Sequence, residues 1–162
     1  MSGRLVPEAW FPAGVAGIAV RRVALPSGLT LRVLEAGPAS GPPVVLVHGW
    51  AVTAYLWRHN ILPLAQAGYR VVAPDLPGHG LSSAPSDPGS YTISRFAAVL
   101  RELLDALGIA RATLVGQSMG GKVVARLALD QPQRVRALTL FGPVGFGLIP
   151  PWHALSPAIP TP

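Results

Sequence analysis

Residues 116–120 read Gly-Gln-Ser-Met-Gly, a serine hydroxyl with a glycine two residues away on either side. A hydroxyl attacks an acyl carbon usefully only when it is presented clear of regular hydrogen bonding, beside donors for the charge that forms during attack. This spacing supplies both. Glycines at 116 and 120 permit a turn so tight that side chains there would clash with the backbone around Ser118. If the turn joins a strand to a helix, Ser118 stands above a sheet. The Met119 N–H then sits at the helix start, where unpaired donors and the dipole favour a developing oxyanion. A plainer alternative makes Ser118 a helix N-cap in a glycine-rich turn. Another class of site also matches, because residues 116–122 fit the phosphate-cradling pattern G-x-x-x-x-G-K. That pattern needs Ser or Thr after the lysine to hold magnesium, and Val123 has no oxygen to offer.

Two further patches carry chemistry-bearing residues. His48-Gly49-Trp50 directly follows the apolar run 44–47. A glycine there lets the backbone turn and present the Trp50 N–H as a second oxyanion donor. Residues 75–82, Asp-Leu-Pro-Gly-His-Gly-Leu-Ser, hold Asp75, Gly78, His79 and Gly80 in a stretch whose density of Gly, Pro and Asp marks a shaped turn.

These turns need strands and helices to aim them. Residues 18–23 and 29–35 alternate loosely about Pro26-Ser27-Gly28 and predict a hairpin. Residues 44–47 and 69–73 are short apolar runs of the kind covered on both faces in a parallel sheet. Residues 113–115 and 135–141 are again strand-like. Helices are expected at 57–67, ending at Gly68, and at 122–129. The strongest helix pattern places Ile93, Phe96, Ala97, Leu100, Leu103, Leu104 and Leu107 at three- and four-residue steps, between the N-cap Thr92 and the stop at Gly108. Strand alternating with helix predicts an α/β fold with a mostly parallel sheet and flanking helices. Residues 74–90 are expected as a loop. Residues 142–162 show no convincing period.

Together the three patches H-G-x, D-x-x-G-x-G-x-S and G-x-S-x-G, in this order, resemble the α/β-hydrolase fold superfamily over roughly residues 15–147. The resemblance implies Ser118 as nucleophile and the Trp50 and Met119 N–H groups as the oxyanion hole. His48, Gly49, Gly116, Gly120, Asp75, Gly78 and Gly80 become the supporting turns, and Asp75 and His79 are structural rather than catalytic. Haloalkane dehalogenases and most epoxide hydrolases that resemble this chain use aspartate where Ser118 stands, because their first step alkylates a carboxylate. Serine leaves acyl chemistry, in which esterases, lipases, carbon-carbon bond hydrolases, acyltransferases and cofactor-free perhydrolases all remain open. The implied partner is a small ester or acyl substrate, with no cofactor and no metal. Trp50, Met119, Tyr55 and Trp57 are candidates for an apolar acyl pocket, although aromatics at such spacing are more often core.

A serine needs a histidine to take its proton and an acid to hold that histidine. In the family these follow the nucleophile as acid, then histidine. After Ser118 the chain has Asp130 alone among acids and His153 alone among histidines. Asp130 reads as a solvated helix end, and His153 stands in a segment that leads into the lid in relatives. His48 reads as a packing or hydrogen-bonding residue, and His59 as a helix-surface one. The family sheet resembles eight strands, of which six can be located. The expectation is therefore an incomplete hydrolase fold: residues 1–147 as its N-terminal part, 148–162 as a Pro-rich tail opening a lid or loop, and residues 135–141 as an exposed edge. That expectation leaves a second one open, a catalytically inactive pseudo-hydrolase or interaction fragment that self-associates or is completed by a C-terminal chain.

Composition narrows the classes. The 162 residues suffice for one domain and hold no cysteine, which removes disulfide frameworks and thiolate chemistry. Half the residues are hydrophobic and 12% are charged, far from a disordered polyelectrolyte. The net charge of +6 rests on scattered arginines, with Lys122 the only lysine, so it forms no stripe for nucleic acid. The start lacks the long apolar core of an export signal. Prolines at 143, 150, 151, 157, 160 and 162 break up the longest uncharged stretch, so a cytoplasmic chain without a membrane span is expected.

Overall fold

The computed structural model describes residues 15–143. The expected tail 148–162, His153 and residues 144–147 lie outside the described residues, as does the start of the chain. Six strands form one sheet in the order β1-β2-β4-β3-β5-β6. They are β1 (Ala19–Ala24), β2 (Thr30–Ala36), β3 (Pro43–Val47), β4 (Arg70–Pro74), β5 (Ala112–Gln117) and β6 (Val135–Phe141). The hairpin β1-β2 is antiparallel and β2 meets β4 antiparallel, whereas β4, β3, β5 and β6 run parallel. The expected α/β architecture is therefore observed.

The apolar run of β3 is buried because both faces are covered. Val45 and Val47 face one core with Phe96, Leu100, Leu103 and Val124, which come from α2 (Ile93–Ala106) and α3 (Met119–Asp130). Val44 and Leu46 face the other core with Trp57 and Ile61. Alternation along the strand thus distributes one hydrophobic run over two layers. In α2, the Thr92 hydroxyl accepts from the Arg95 N–H (3.3 Å), and the predicted apolar stripe is the buried one. Among the described residues no helix is long and apolar enough to cross a membrane.

Two boundaries differ from expectation. Residues 57–67 are not one helix but a 3₁₀ turn, Ala54–Trp57, capped by Thr53, followed by α1 (Ile61–Gln66). Pro63 explains the break. In a helix starting at 57 it would lie in the interior, without an N–H and against a preceding carbonyl, whereas in α1 it occupies the first turn, where neither matters. His59 accordingly lies on an exposed turn between the two. At α3 the helix starts at Met119, three residues earlier than expected. Gly120 and Gly121 have poor helix propensity, but Gly120 is buried against the Val47 and His48 carbonyls and Gly121 beside Pro143, and the packing overrides it.

From β3 the chain winds to β4 on one side and then crosses to β5 on the other. Beyond the carboxyl ends of β3 and β5 lies the crevice where open α/β sheets place their ligands. Strands β1 and β6 are the two edges of the sheet among the described residues, and residues 136–139 of β6 are exposed.

Candidate active site

Ser118 sits at that crevice, between the last residue of β5 and the first of α3. Its backbone lies at φ 52, ψ −117, a conformation that costs a non-glycine residue about 1–3 kcal/mol and persists only where the surroundings enforce it. The enforcement is visible. The Ser118 N–H donates to the Phe141 carbonyl at 2.9 Å, and the Ser118 carbonyl accepts from the Gly121 N–H at 3.0 Å. The hydroxyl makes no capping bond to α3, so the N-cap alternative does not describe this turn.

The flanking glycines act on the elements beside Ser118 rather than on Ser118 itself. A Cβ on Gly116 would lie 2.6 Å from the Gly120 carbonyl carbon and 2.7 Å from Gly121 Cα. One on Gly120 would meet the Val47 and His48 carbonyl oxygens and lie 2.8 Å from the Val47 carbonyl carbon. Gly116 thus lets α3 fold back onto β5, and Gly120 seats the helix start against the end of β3.

The turn after β3 leans on Ser118. A Cβ on Gly49 would come within 3.2 Å of Ser118 Cβ and 3.3 Å of the Gln117 carbonyl, and would strike the Gln117 side-chain oxygen. Trp50 is 63% exposed at the mouth of the crevice, and its N–H donates to no other group among the described residues. Ala51 follows at φ 56, a second non-glycine residue in the left-handed region. Met119 heads α3, where the first N–H groups have no intrahelical acceptor.

Beneath this turn His48 is fully buried. Its Nδ1 donates to the Gly49 carbonyl (2.7 Å), while Nε2 accepts from the Leu76 N–H (2.9 Å). A carbonyl can only accept and an N–H can only donate, so the ring is the neutral tautomer with its hydrogen on Nδ1. Burial, opposed by the Gly49 hydrogen bond, lowers its pKa from 6.5 to about 4; His79 lowers it further and Asp75 raises it.

The turn after β4 is built on Asp75, also fully buried. Its carboxylate accepts from the Ala54 N–H (2.8 Å), the Leu81 N–H (3.1 Å) and Arg32 Nη1 (3.2 Å). The Ser82 hydroxyl donates to the Asp75 carbonyl at 2.7 Å. Gly80, at φ 54, leaves no room for a Cβ beside that carboxylate, and Gly78, at φ 75, packs under Tyr91. His79 Nδ1 donates to the Pro77 carbonyl (2.9 Å), and its ring lies 5.0 Å from that of His48 and 5.4 Å from that of Trp50.

The structure therefore brings together Ser118, Met119, Gly116, Gly120, His48, Gly49 and Trp50, with Asp75, Gly78 and Gly80 forming the adjoining turn. It does not bring Asp130 to them. That residue ends α3, about 16 Å along the axis at 1.5 Å per residue, and pairs with Arg126 at 2.9 Å. Among the described residues no hydrogen bond joins a histidine to Ser118, and no three His, Asp or Glu side chains gather as a metal site. Trp57 is 6% exposed and belongs to the core, whereas Tyr55 is exposed and carries the Arg58 guanidinium 4.6 Å above its ring. Sequence reasoning missed Phe141, whose carbonyl holds the Ser118 backbone, and Arg32, which reaches Asp75 across 43 positions. Neither gives a local sequence signal.

Comparison with known proteins agrees with this fold. Residues 42–161 match the family model described as the alpha/beta hydrolase fold. The chain is 44% identical over 122 residues to epoxide hydrolase A of Mycobacterium tuberculosis, covering 75% of this chain and 38% of that protein. It is 47% identical over 118 residues to the dihydrolipoyllysine-residue acetyltransferase component of the acetoin cleaving system of Cupriavidus necator, covering 72% and 31%. The crystal structure of epoxide hydrolase A from Mycobacterium thermoresistibile superposes with a TM-score of 0.76 at 42% identity, over 85% of this chain and 44% of that one. The chain thus spans well under half the length of these relatives.

Proposed function

The chain belongs to the α/β hydrolase fold family, and we propose that it carries the nucleophilic half of a serine acyl-transfer site. Ser118 Oγ attacks the carbonyl carbon of a small ester or acyl substrate. The carbonyl electron pair moves onto its oxygen, which the Trp50 and Met119 N–H groups hold. The serine proton passes to a base outside residues 15–143 and leaves with the alcohol, giving an acyl-serine that water or another acceptor resolves. His48 is not that base, because both its ring nitrogens are committed.

The observation that carries this reading is Ser118 itself: a non-glycine residue at φ 52, its hydroxyl making no cap bond to α3, against the turn whose Trp50 N–H donates to no group among the described residues. Named relatives include epoxide hydrolases, yet a serine suits their reaction poorly. Opening an epoxide with a hydroxyl would leave an ether, which has no carbonyl for water to attack, whereas a carboxylate leaves a hydrolysable ester. The acetyltransferase relative fits acyl chemistry directly.

Turnover of a small activated ester such as p-nitrophenyl acetate tests the proposal. Ser118→Ala should abolish turnover above background; equal rates in the two proteins would refute it. An alternative of a different class, an inactive fragment that binds a copy of itself or a completing chain, draws on the exposed edge of β6 with Leu138 and Phe141. Concentration-dependent association without esterase activity would favour it.

A further inference from the structure

His48 and Trp50 are linked through a single peptide unit. The Gly49 carbonyl and the Trp50 N–H belong to the same peptide, no cis bond occurs in the described chain, and in a trans peptide the two groups point in opposite directions. His48 Nδ1 holds that carbonyl from below at 2.7 Å. The Trp50 N–H is therefore turned away from the buried ring, and it donates to no group among the described residues. The geometry points to His48 as a positioning residue that aims the Trp50 oxyanion donor by anchoring the Gly49 carbonyl. This inference rests on the proposed role of Ser118 and Trp50.

The anchor is itself fixed. The Leu76 N–H donates to Nε2 at 2.9 Å, which forces the hydrogen onto Nδ1, and the His79 ring packs against the His48 ring. Without the anchor, Gly49, which has no side chain, leaves its own ψ little restrained: rotation of the peptide that follows it would exchange the N–H for a carbonyl oxygen and set a lone pair where negative charge must form. The groups that titrate or carry charge around the ring are His79 and Asp75, the latter joined to Arg32 from β2. The depressed pKa keeps the ring neutral at neutral pH, so Nε2 keeps the lone pair that accepts from the Leu76 N–H.

The test separates rate from fold. Fluorophosphonate labelling of the whole chain is followed by mass as a function of probe concentration, giving a maximal rate and an apparent binding constant. Phosphonylation develops charge on the phosphoryl oxygen, so the maximal rate reports the hole. His48→Leu should lower that rate roughly 10- to 100-fold with the binding constant unchanged. His48→Asn, whose amide nitrogen stands where Nδ1 stood, should recover most of the loss even though it leaves the Leu76 N–H without a partner and lowers stability.

Labelling of both variants at the unsubstituted rate would overturn the inference and leave Ser118 as nucleophile. Equal slowing in both would also overturn it, because the donor to Gly49 would then not be what matters. No labelling of unsubstituted Ser118 would overturn the parent proposal together with this one. If His48→Leu does not fold, ring nitrogen shifts of the unsubstituted protein at neutral pH decide: hydrogen on Nδ1 alone supports the anchor, and hydrogen on Nε2 overturns it.

Discussion

The Ser118 N–H donates to the Phe141 carbonyl at 2.9 Å, so the last residue of β6 holds the backbone of the residue that follows β5. Two parallel strands thereby end on one another, and the second clamps the strained turn that the first presents. The clamp explains how a serine stays at φ 52 when unconstrained chains avoid that region.

Strain of this kind should be recoverable as stability. Ser118→Gly is expected to raise the unfolding free energy above that of Ser118→Ala by about 1–2 kcal/mol, since both lack the hydroxyl and only glycine is at ease at this φ. Urea unfolding of the pair checks it; equal midpoints would show that the turn is not strained.

Gly116 and Gly120 are expected to tolerate nothing larger than hydrogen. Alanine at either would place a Cβ against backbone of α3 or β3, which cannot swing aside as a side chain can. A loss of at least about 2 kcal/mol each is expected by denaturant titration. Gly108→Ala provides the contrast: its Cβ would meet nothing within 4 Å, and its cost should reflect φ 64 alone.

Asp75 carries a structural charge in this account. Removing it leaves Arg32 buried beside an empty carboxylate site, so Asp75→Ala should destabilise the fold by about 3–5 kcal/mol. A variant that unfolded at the same urea concentration as the parent would contradict the hydrogen-bond inventory of the 75–82 turn.

Acid should weaken the fold through His48. With a folded pKa near 4 and an ordinary value of 6.5, the unfolded chain binds this proton first as pH falls. The contribution is constant above about pH 6.5, is lost progressively between 6.5 and 4, and levels off below; over that window it amounts to about 3 kcal/mol. Unfolding measured across pH 4–7 should show this slope, and His48→Asn should flatten it.

The strands were legible where a run of apolar residues could only be buried on two faces, as in β3, and α2 was legible from its stripe and its Thr92 cap. The start of α3 was not, because Gly120 and Gly121 depress helix propensity while Gly120 lets the helix start touch the backbone at the end of β3, a tertiary fact. The break before α1 has its signal in Pro63, set within a helix-like periodicity that points the other way. At the candidate site the motif glycines pointed to Ser118, Trp50 and Met119, whereas Arg32, Phe141 and the positive φ of Ala51 left no local trace. Contacts made by backbone atoms, or across 43 positions, have no sequence pattern to read.

Whether Ser118 is an activated nucleophile is tested most directly by intact-mass and peptide mapping after exposure to a fluorophosphonate. One adduct is expected, on the peptide containing Ser118, and none in Ser118→Ala. An adduct that persists in Ser118→Ala, or a parent chain left unmodified, would contradict it.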